Sequence, residues 1–293
     1  MAEPLLPLRY EDAGEAEAAV AAAFATDGAS GAVAVRNGRV VGYLLGAPKP
    51  AGTWGPNVWV ESAGHAVDEP EDIRDLYAVA ATRWVHEGAT AHYVLVPRYD
   101  EALIGAWFRL AFGHQHTHAV REVPPTPPRR SDSIVVRPAI RRDIPLLAQL
   151  DLELPTHHGL APTFSSGERS TYDEALREWE DDFDDPDFAN FVAEHNGRLV
   201  GSAVGCPLEK SSAHTELAMP ENAGFLGFAA VFPDARGLGA GRALGEAVLE
   251  WSLTQQHSCV VTDWRATNLL SSRAWPALGF RPTFLRLHRL LGH

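Results

Sequence analysis

Cysteine and lysine are nearly missing from this chain of 293 residues, which carries Cys206, Cys259, Lys49 and Lys210 and no others of either kind. Two cysteines cannot build a disulfide framework, and neither stands in a Cys-x-x-Cys or Cys/His ligand pattern, so both read as buried thiols. His114, His116 and His118 alternate along a would-be strand and could share one face, but with neither a fourth ligand nor a cysteine beside them no metal is expected. No apolar run approaches the ~20 residues that span a bilayer, so no membrane partner is expected. Met1 to Pro7 lacks the basic start and apolar centre of an export signal, and a cytoplasmic location is the expectation. Positive charge is also scarce. With 25 Lys+Arg against 38 Asp+Glu, the formal net charge of -13 repels phosphate backbones and argues against a nucleic-acid partner. The same charge would attract a cationic acceptor such as an amine.

What is present points to two domains. The length is comfortable for two cores, and the chain repeats itself. Arg36-Asn-Gly-Arg-Val-Val-Gly-Tyr-Leu-Leu-Gly-Ala-Pro48 recurs as His195-Asn-Gly-Arg-Leu-Val-Gly-Ser-Ala-Val-Gly-Cys-Pro207. In each copy an Asn-Gly pair separates two apolar runs, the signature of a β-hairpin with a type I′ turn. Near the ends of the halves Trp107-Phe-Arg-Leu-Ala-Phe112 echoes Trp275-Pro-Ala-Leu-Gly-Phe280, and at their beginnings Leu8-Arg9 echoes Val136-Arg137. The prolines of Pro124-Pro-Thr-Pro-Pro128 can neither continue a helix nor enter a sheet interior, so residues 124–133 read as a linker between domains at 1–123 and 134–293. The second copy carries a long excursion between its first strand and its hairpin that the first copy lacks. Its elements are expected as a strand at 134–137, helices near 141–153 and 171–182 with a loop through His157 between them, and then the hairpin. A strand at 224–232, a helix at 239–256, a strand at 258–264, a helix near 268–277 and a strand at 284–290 follow. Strands and helices mix without strict alternation, which predicts an α+β (mixed α/β) architecture, one mixed sheet covered by helices in each domain.

The stretch that carries chemistry is Ala230-Val-Phe-Pro-Asp-Ala-Arg-Gly-Leu-Gly-Ala-Gly-Arg-Ala-Leu244. An apolar strand ends in a proline turn, and three glycines then open a helix. Such a start lets backbone N–H groups approach an anion, and Arg236 and Arg242 can add charged hydrogen bonds to phosphate. The dinucleotide fingerprint GxGxxG fails, because Arg242 and Leu244 stand where its last glycine would be, and no Gly-Lys-Ser/Thr follows for a nucleoside triphosphate.

The pattern R-x-x-G-x-G, here Arg236-Gly-Leu-Gly-Ala-Gly241, resembles the coenzyme A pyrophosphate loop of the GCN5-related N-acetyltransferase (GNAT) family. Asn268-Leu-Leu-Ser-Ser-Arg-Ala-Trp-Pro-Ala-Leu-Gly-Phe280 is similar to that family's second landmark, an asparagine opening a helix that ends in Leu-Gly-Phe. The resemblance implies two GNAT-like domains in tandem, with a degenerate N-terminal copy and an acetyl-CoA-binding second copy. It also implies two parallel strands that splay apart to admit pantetheine. Ala229 and Val231 would then pair with the pantetheine amides; Arg236, Gly237, Leu238, Gly239, Ala240, Gly241 and Arg242 would cradle the pyrophosphate, and Asn268 would lie beside the arm. The implied activity is transfer of an acetyl group from acetyl-CoA to a primary amine of a small acceptor. The alternative is a non-catalytic acetyl-CoA-binding sensor or scaffold, because two catalytic positions depart from the family. Trp275 stands where many members place the tyrosine that protonates the leaving thiolate, and the strand before the loop has no glutamate. Candidates for the base are Glu216, Glu221 and Asp263, along with His157 and His158 in the excursion. The acidic run Glu178 to Asp187 reads either as a solvated helix end or as a steering surface for a cation.

Overall fold

The computed structural model describes residues 12–51, 55–126, 133–165, 170–211, 214 and 218–292. The expected first strand at Leu8-Arg9, the centre of the linker and the base candidate Glu216 lie outside the described residues. The chain divides into two compact units, one of Met1–His118, Thr215–Ala218 and Pro282–His293, the other of Ala119–His214 and Met219–Arg281. Among the described residues no helix is long and apolar enough to cross a membrane.

The first unit contains α1 (Ala13–Ala25), β1 (Ser30–Arg36), β2 (Arg39–Gly46), β3 (Asn57–Val60), β4 (His65–Val67), α2 (Asp72–His86), β5 (Ala91–Pro97), α3 (Glu101–Phe108) and the start of β6 (Gly113–Glu122). Asn37 and Gly38 turn β1 into β2 with φ of 53° and 77°, as the Asn-Gly signature predicts for a type I′ turn. The core gathers Leu44, Ile73, Trp84, Val94 and Trp107. Tyr77 meets Trp107 edge-on at 5.7 Å and Phe112 at 5.3 Å.

The second unit contains β7 (Val135–Pro138), α4 (Ile144–His158), α5 (Tyr172–Asp182), β8 (Ala189–His195), β9 (Arg198–Pro207), β10 (Ala223–Val231), α6 (Ala240–Thr254), β11 (Cys259–Arg265) and α7 (Leu269–Ala277). Its strands lie in the order β11-β10-β9-β8-β7. The β8–β9 hairpin turns at Asn196 and Gly197, with φ of 52° and 74°. On one face of the sheet Leu244, Val248 and Leu249 of α6 pack with Trp275, Leu278 and Phe280. On the other, Leu147 and Leu150 of α4 pack with Val192, Leu199 and Ala230.

Two features depart from the order read in the sequence. The last strand, β12 (Arg281–Leu290), pairs antiparallel with β5, from Phe284 opposite Pro97 to Leu290 opposite Ala91. It therefore groups with the first unit rather than with the domain expected at 134–293, while Ala119 and the residues after it group with the second. The reason is ladder pairing, which follows spatial neighbours and not sequence halves. The second departure is at α4, which runs on through Pro155 to His158, so that His157 and His158 occupy its last turn and not a loop.

Helix α4 is anchored at its start by Arg137. That guanidinium donates to both oxygens of Asp143, at 2.6 and 3.1 Å, and from Nε to Glu194 at 2.8 Å. Asp143 is buried, and the Arg137 guanidinium holds its carboxyl below the usual range against the opposing effect of burial. Because the folded-state pKa is depressed, this contribution is present above the unfolded value of about 4 and is lost as pH falls below it. Arg137→Ala should cost about 2–3 kcal/mol in urea unfolding at pH 7. The difference from the unsubstituted protein should shrink as the titration is repeated toward pH 3.

Candidate functional site

Strand β10 shapes the site. It pairs parallel with β11 only from Ala223 opposite Cys259 to Leu226 opposite Thr262. It stays paired with β9 on its other side to Val231, with the register shifted between Leu226 and Phe228, a bulge at Gly227. Beyond Leu226, β10 and β11 therefore part, and the edge of β10 at Ala229–Val231 is open to a partner.

Helix α6 starts beside this opening. Gly237 and Gly239 adopt φ of 85° and 90°, conformations that only glycine takes freely, and Gly239 is the N-cap, with no side chain accepting from the first turn. The first-turn N–H groups have no partner within the helix, and the positive end of its dipole points the same way. An added Cβ at Gly237 or Gly239 would meet nothing within 4 Å; the glycines are there for backbone shape and access, not to relieve crowding.

These elements enclose a cavity of about 350 Å³, lined by Ala229, Val231, Arg236, Gly237, Gly239, Ala240, Gly241, Arg242, Asn268 and Trp275, with Leu154 and His157 of α4 on the far wall. The structure thus brings together all the expected cofactor-loop positions except Leu238, which is 43% exposed and does not line the cavity. Arg242 pairs along its helix with Glu246 at 2.9 Å and is largely exposed. Trp275 is both wall and core: it is buried, meets Phe280 edge-on at 6.3 Å and sits where a Cβ on Gly245 would approach it to 3.2 Å.

Asn268 ties the cavity to α4. It is buried and caps α7, its Oδ1 accepting the Leu270 and Ser271 N–H groups at 3.1 and 3.3 Å. That fixes the amide orientation. His157 Nε2, 3.2 Å from the same oxygen, must then donate to it, and Asn268 Nδ2 donates to His158 Nε2 at 3.2 Å. His157 consequently carries a proton on Nε2, and His158 is unprotonated at Nε2. Burial, and then the positive charge of Arg265 and the neighbouring His157, push the His158 pKa down to about 4.

The remaining base candidates fall elsewhere. Glu221 is exposed at the turn before β10, where its carbonyl accepts from Ser258. Asp263, half-buried on β11, lines neither this cavity nor the next. Both cysteines are buried and neither forms a disulfide.

A second cavity, about 570 Å³, lies across β10 among α4, α5 and β9. Asp151, Trp179, Phe225 and Phe228 line it, and Leu154 lines both cavities. In Leu150-Asp-Leu-Glu-Leu154, Asp151 has the sequence pattern of an outward charge on an amphipathic helix. Only the packing of α5 encloses it. A larger groove of about 700 Å³ runs between β7, β8 and α6 and contains none of the loop glycines.

Residues 154–280 match the model of the acetyltransferase (GNAT) family. The GCN5-related N-acetyltransferase from Sphaerobacter thermophilus shares the fold, with a TM-score of 0.54 at 13% identity over 87% of this chain and 78% of that one. A tandem GNAT protein from the clavulanic acid biosynthesis pathway aligns with a TM-score of 0.48 at 16% identity, over 95% of this chain and 88% of its own. A GCN5-related N-acetyltransferase from Kribbella flavida aligns with a TM-score of 0.47 at 11% identity, over 98% and 97%. No curated protein matches the chain. The splayed mixed sheet with a helix start at its mouth is thus a GNAT-like fold, and it lies within the residues, 154–280, that match the family's model.

A histidine with a depressed folded pKa binds fewer protons folded than unfolded, so His158 should erode stability as pH falls from its unfolded value of about 6.5 toward 4. In a proton NMR titration the His158 ring signals should stay unshifted down to about pH 5. Asn268→Ala, which removes its donor and the α7 cap, should lower stability by about 1–2 kcal/mol.

Proposed function

We propose that this protein is an acetyl-CoA-dependent N-acetyltransferase whose co-substrate occupies the 350 Å³ cavity of the second unit. The observation that carries this reading is the convergence of two unsatisfied backbone sets on one space. The uncapped start of α6 presents N–H groups suited to a pyrophosphate, and the edge of β10 freed by β11 presents amide-pairing groups suited to a pantetheine arm. Arg236 and Arg242 supply charged donors at the loop, Ala229 and Val231 hold the arm, and Asn268 borders it. The thioester supplies an activated acyl carbon. Gly227 and Phe228 line the neighbouring cavity next to Ala229 of this one, so the acyl carbonyl would be oriented beside that bulge.

Trp275 is a packing residue in this scheme, since an indole N–H is no practical acid. Coenzyme A thiol, with a pKa near the ordinary thiol value of about 8.5, can depart as thiolate. The same substitution favours the second reading, a non-catalytic acetyl-CoA sensor or scaffold. Thiol release with an amine panel separates the two.

The first unit takes no coenzyme A in this proposal. Its helix α2 occupies the place in its half that α6 occupies in the second, yet it opens on Glu71, Asp72 and Asp75 in place of glycines. Asp72 is engaged by Arg36 at 2.6 Å and Glu71 by Arg74 at 3.1 Å. The Asp72, Ile73 and Arg74 N–H groups already donate to the Glu69, Pro70 and Glu71 carbonyls, so they are not open to a pyrophosphate.

Calorimetric titration should therefore give about one acetyl-CoA per chain. Arg236→Ala removes a charged hydrogen bond of about 1.5–3 kcal/mol, and Gly241→Leu projects a side chain into the cavity without a positive-φ penalty. Each should weaken binding roughly tenfold or more while circular dichroism stays unchanged. Two equivalents bound, or titration curves unaffected by both substitutions, would overturn the assignment.

A further inference from the structure

We propose that the 570 Å³ cavity is the acceptor site for a primary amine carried on an apolar, aromatic-sized body, and that Asp151 receives the ammonium proton. The proposal rests on the acyl-CoA reading above, because it needs a thioester at the neighbouring cavity. Position is the first argument. Phe225, Gly227 and Phe228 of β10 line this cavity, and Ala229, Ala230 and Val231 line the other, so the two meet along one strand at its bulge, with Leu154 as a shared wall. An amine seated here faces the place where the acyl carbon would lie.

Chemistry is the second argument. The walls are aromatic, from Trp179, Phe188, Phe225 and Phe228, and the charges are one-sided. Asp151 sits half-buried between α4 and α5, while Glu178 and Asp182 stand exposed at the α5 rim. The lone cation of the cavity, Lys210, is paired with Asp187, and none of the three carboxylates has a cationic partner among the described residues. A half-buried carboxylate beside other carboxylates is costly until a cation arrives. Asp151 Oδ2 accepts the Trp179 indole N–H at 2.6 Å, which aims the carboxyl and leaves Oδ1 for a ligand. Burial is the main cause that pushes its pKa up to about 6; the Trp179 hydrogen bond opposes this and the Glu178 charge adds to it. Asp151 is therefore ionised at neutral pH yet more basic than an ordinary aspartate, as a proton acceptor should be. Other groups facing it are the Cys206 thiol, pushed up to about 11 and so neutral, and Lys210. Strand β10 contributes no titratable side chain, and His157 and His158 are tied to Asn268.

In the step, Asp151 takes one proton from the ammonium, and the freed nitrogen lone pair forms the C–N bond to the acyl carbon. The C–S bond breaks with its electrons on sulfur. The second nitrogen proton goes to that sulfur, giving free thiol, and Asp151 returns its proton to solvent.

The test uses the full chain, with 2-phenylethylamine and phenylalanine as probes that differ by one carboxylate. Thiol release should occur with 2-phenylethylamine, and kcat/KM for phenylalanine should be at least tenfold lower, because its carboxylate would face Asp151, Glu178 and Asp182. Asp151→Asn, which can still accept from Trp179, should lower kcat/KM by about 10²-fold or more and abolish the acid limb of the pH profile near pH 6. Its acetyl-CoA affinity should be unchanged. Equal or better use of phenylalanine, or an Asp151→Asn variant that keeps its rate and its acid limb, overturns the proposal. If no amine releases thiol, calorimetry in the presence of coenzyme A decides: 2-phenylethylamine binding no tighter than phenylalanine also overturns it. Absence of any acetyl-CoA binding by the unsubstituted protein would instead remove the acyl-CoA reading itself.

Discussion

The parting of β10 from β11 after Leu226 is the constraint on which the site depends. A parallel pair broken in mid-strand strands backbone donors and acceptors inside a protein, where they need partners. The bulge at Gly227 keeps β10 bonded to β9 while turning its other edge outward. The Thr262 hydroxyl, which donates to the Leu226 carbonyl at 3.0 Å, closes the last paired rung, so the opening begins at a defined point. Everything downstream is placed by that opening, from the loop at the strand's end to α6 at its mouth and the two cavities along its edge.

Holding such an opening apart takes packing on both faces. Beneath it, α6 packs through Leu244 and Val248 against Val200, Ala203 and Val260. Above it, α4 is fixed at its start by Arg137 and at its end by the two histidines on Asn268, which itself caps α7. One buried amide therefore links the helix that lines both cavities to the helix that follows β11. This polar network is satisfied where it is buried, as a structure that must keep a single geometry requires.

Local signals carried much of this into the sequence. The Asn-Gly pairs fixed both hairpins because their backbone demand is met by two adjacent residues. The glycine loop and Asn268 were legible for the same reason, since a helix start needs its cap and its φ angles within a few positions. What stayed hidden was non-local. The exchange of β12 to the side of β5 cannot be read from Arg281–Leu290, whose alternation would suit any sheet edge. His157 and His158 read as loop residues beyond a helix expected to end near 153, yet α4 continues through Pro155 to His158 because its last turn is held from outside, by Asn268. Asp151 was invisible until Trp179 of α5 lay over it.

The two halves show how little separates a helix start left open to an anion from one that already carries carboxylates. Both α2 and α6 follow a strand, and each precedes a parallel-running strand, β5 or β11. Both halves also bury a tryptophan at matching places, Trp107 at 0% exposure and Trp275 at 7%. The scaffold is therefore shared where packing sets the residue. It diverges at the first turn, where Glu71, Asp72 and Asp75 satisfy the dipole of α2 from within the chain, whereas α6 opens with glycine and leaves its dipole and N–H groups to be met from outside. A helix whose N-terminus is already neutralised has no electrostatic reason to bind an anion. An uncapped helix at an opened sheet gives up local stability to keep that reason, and that asymmetry is why the proposed co-substrate is assigned to the second unit.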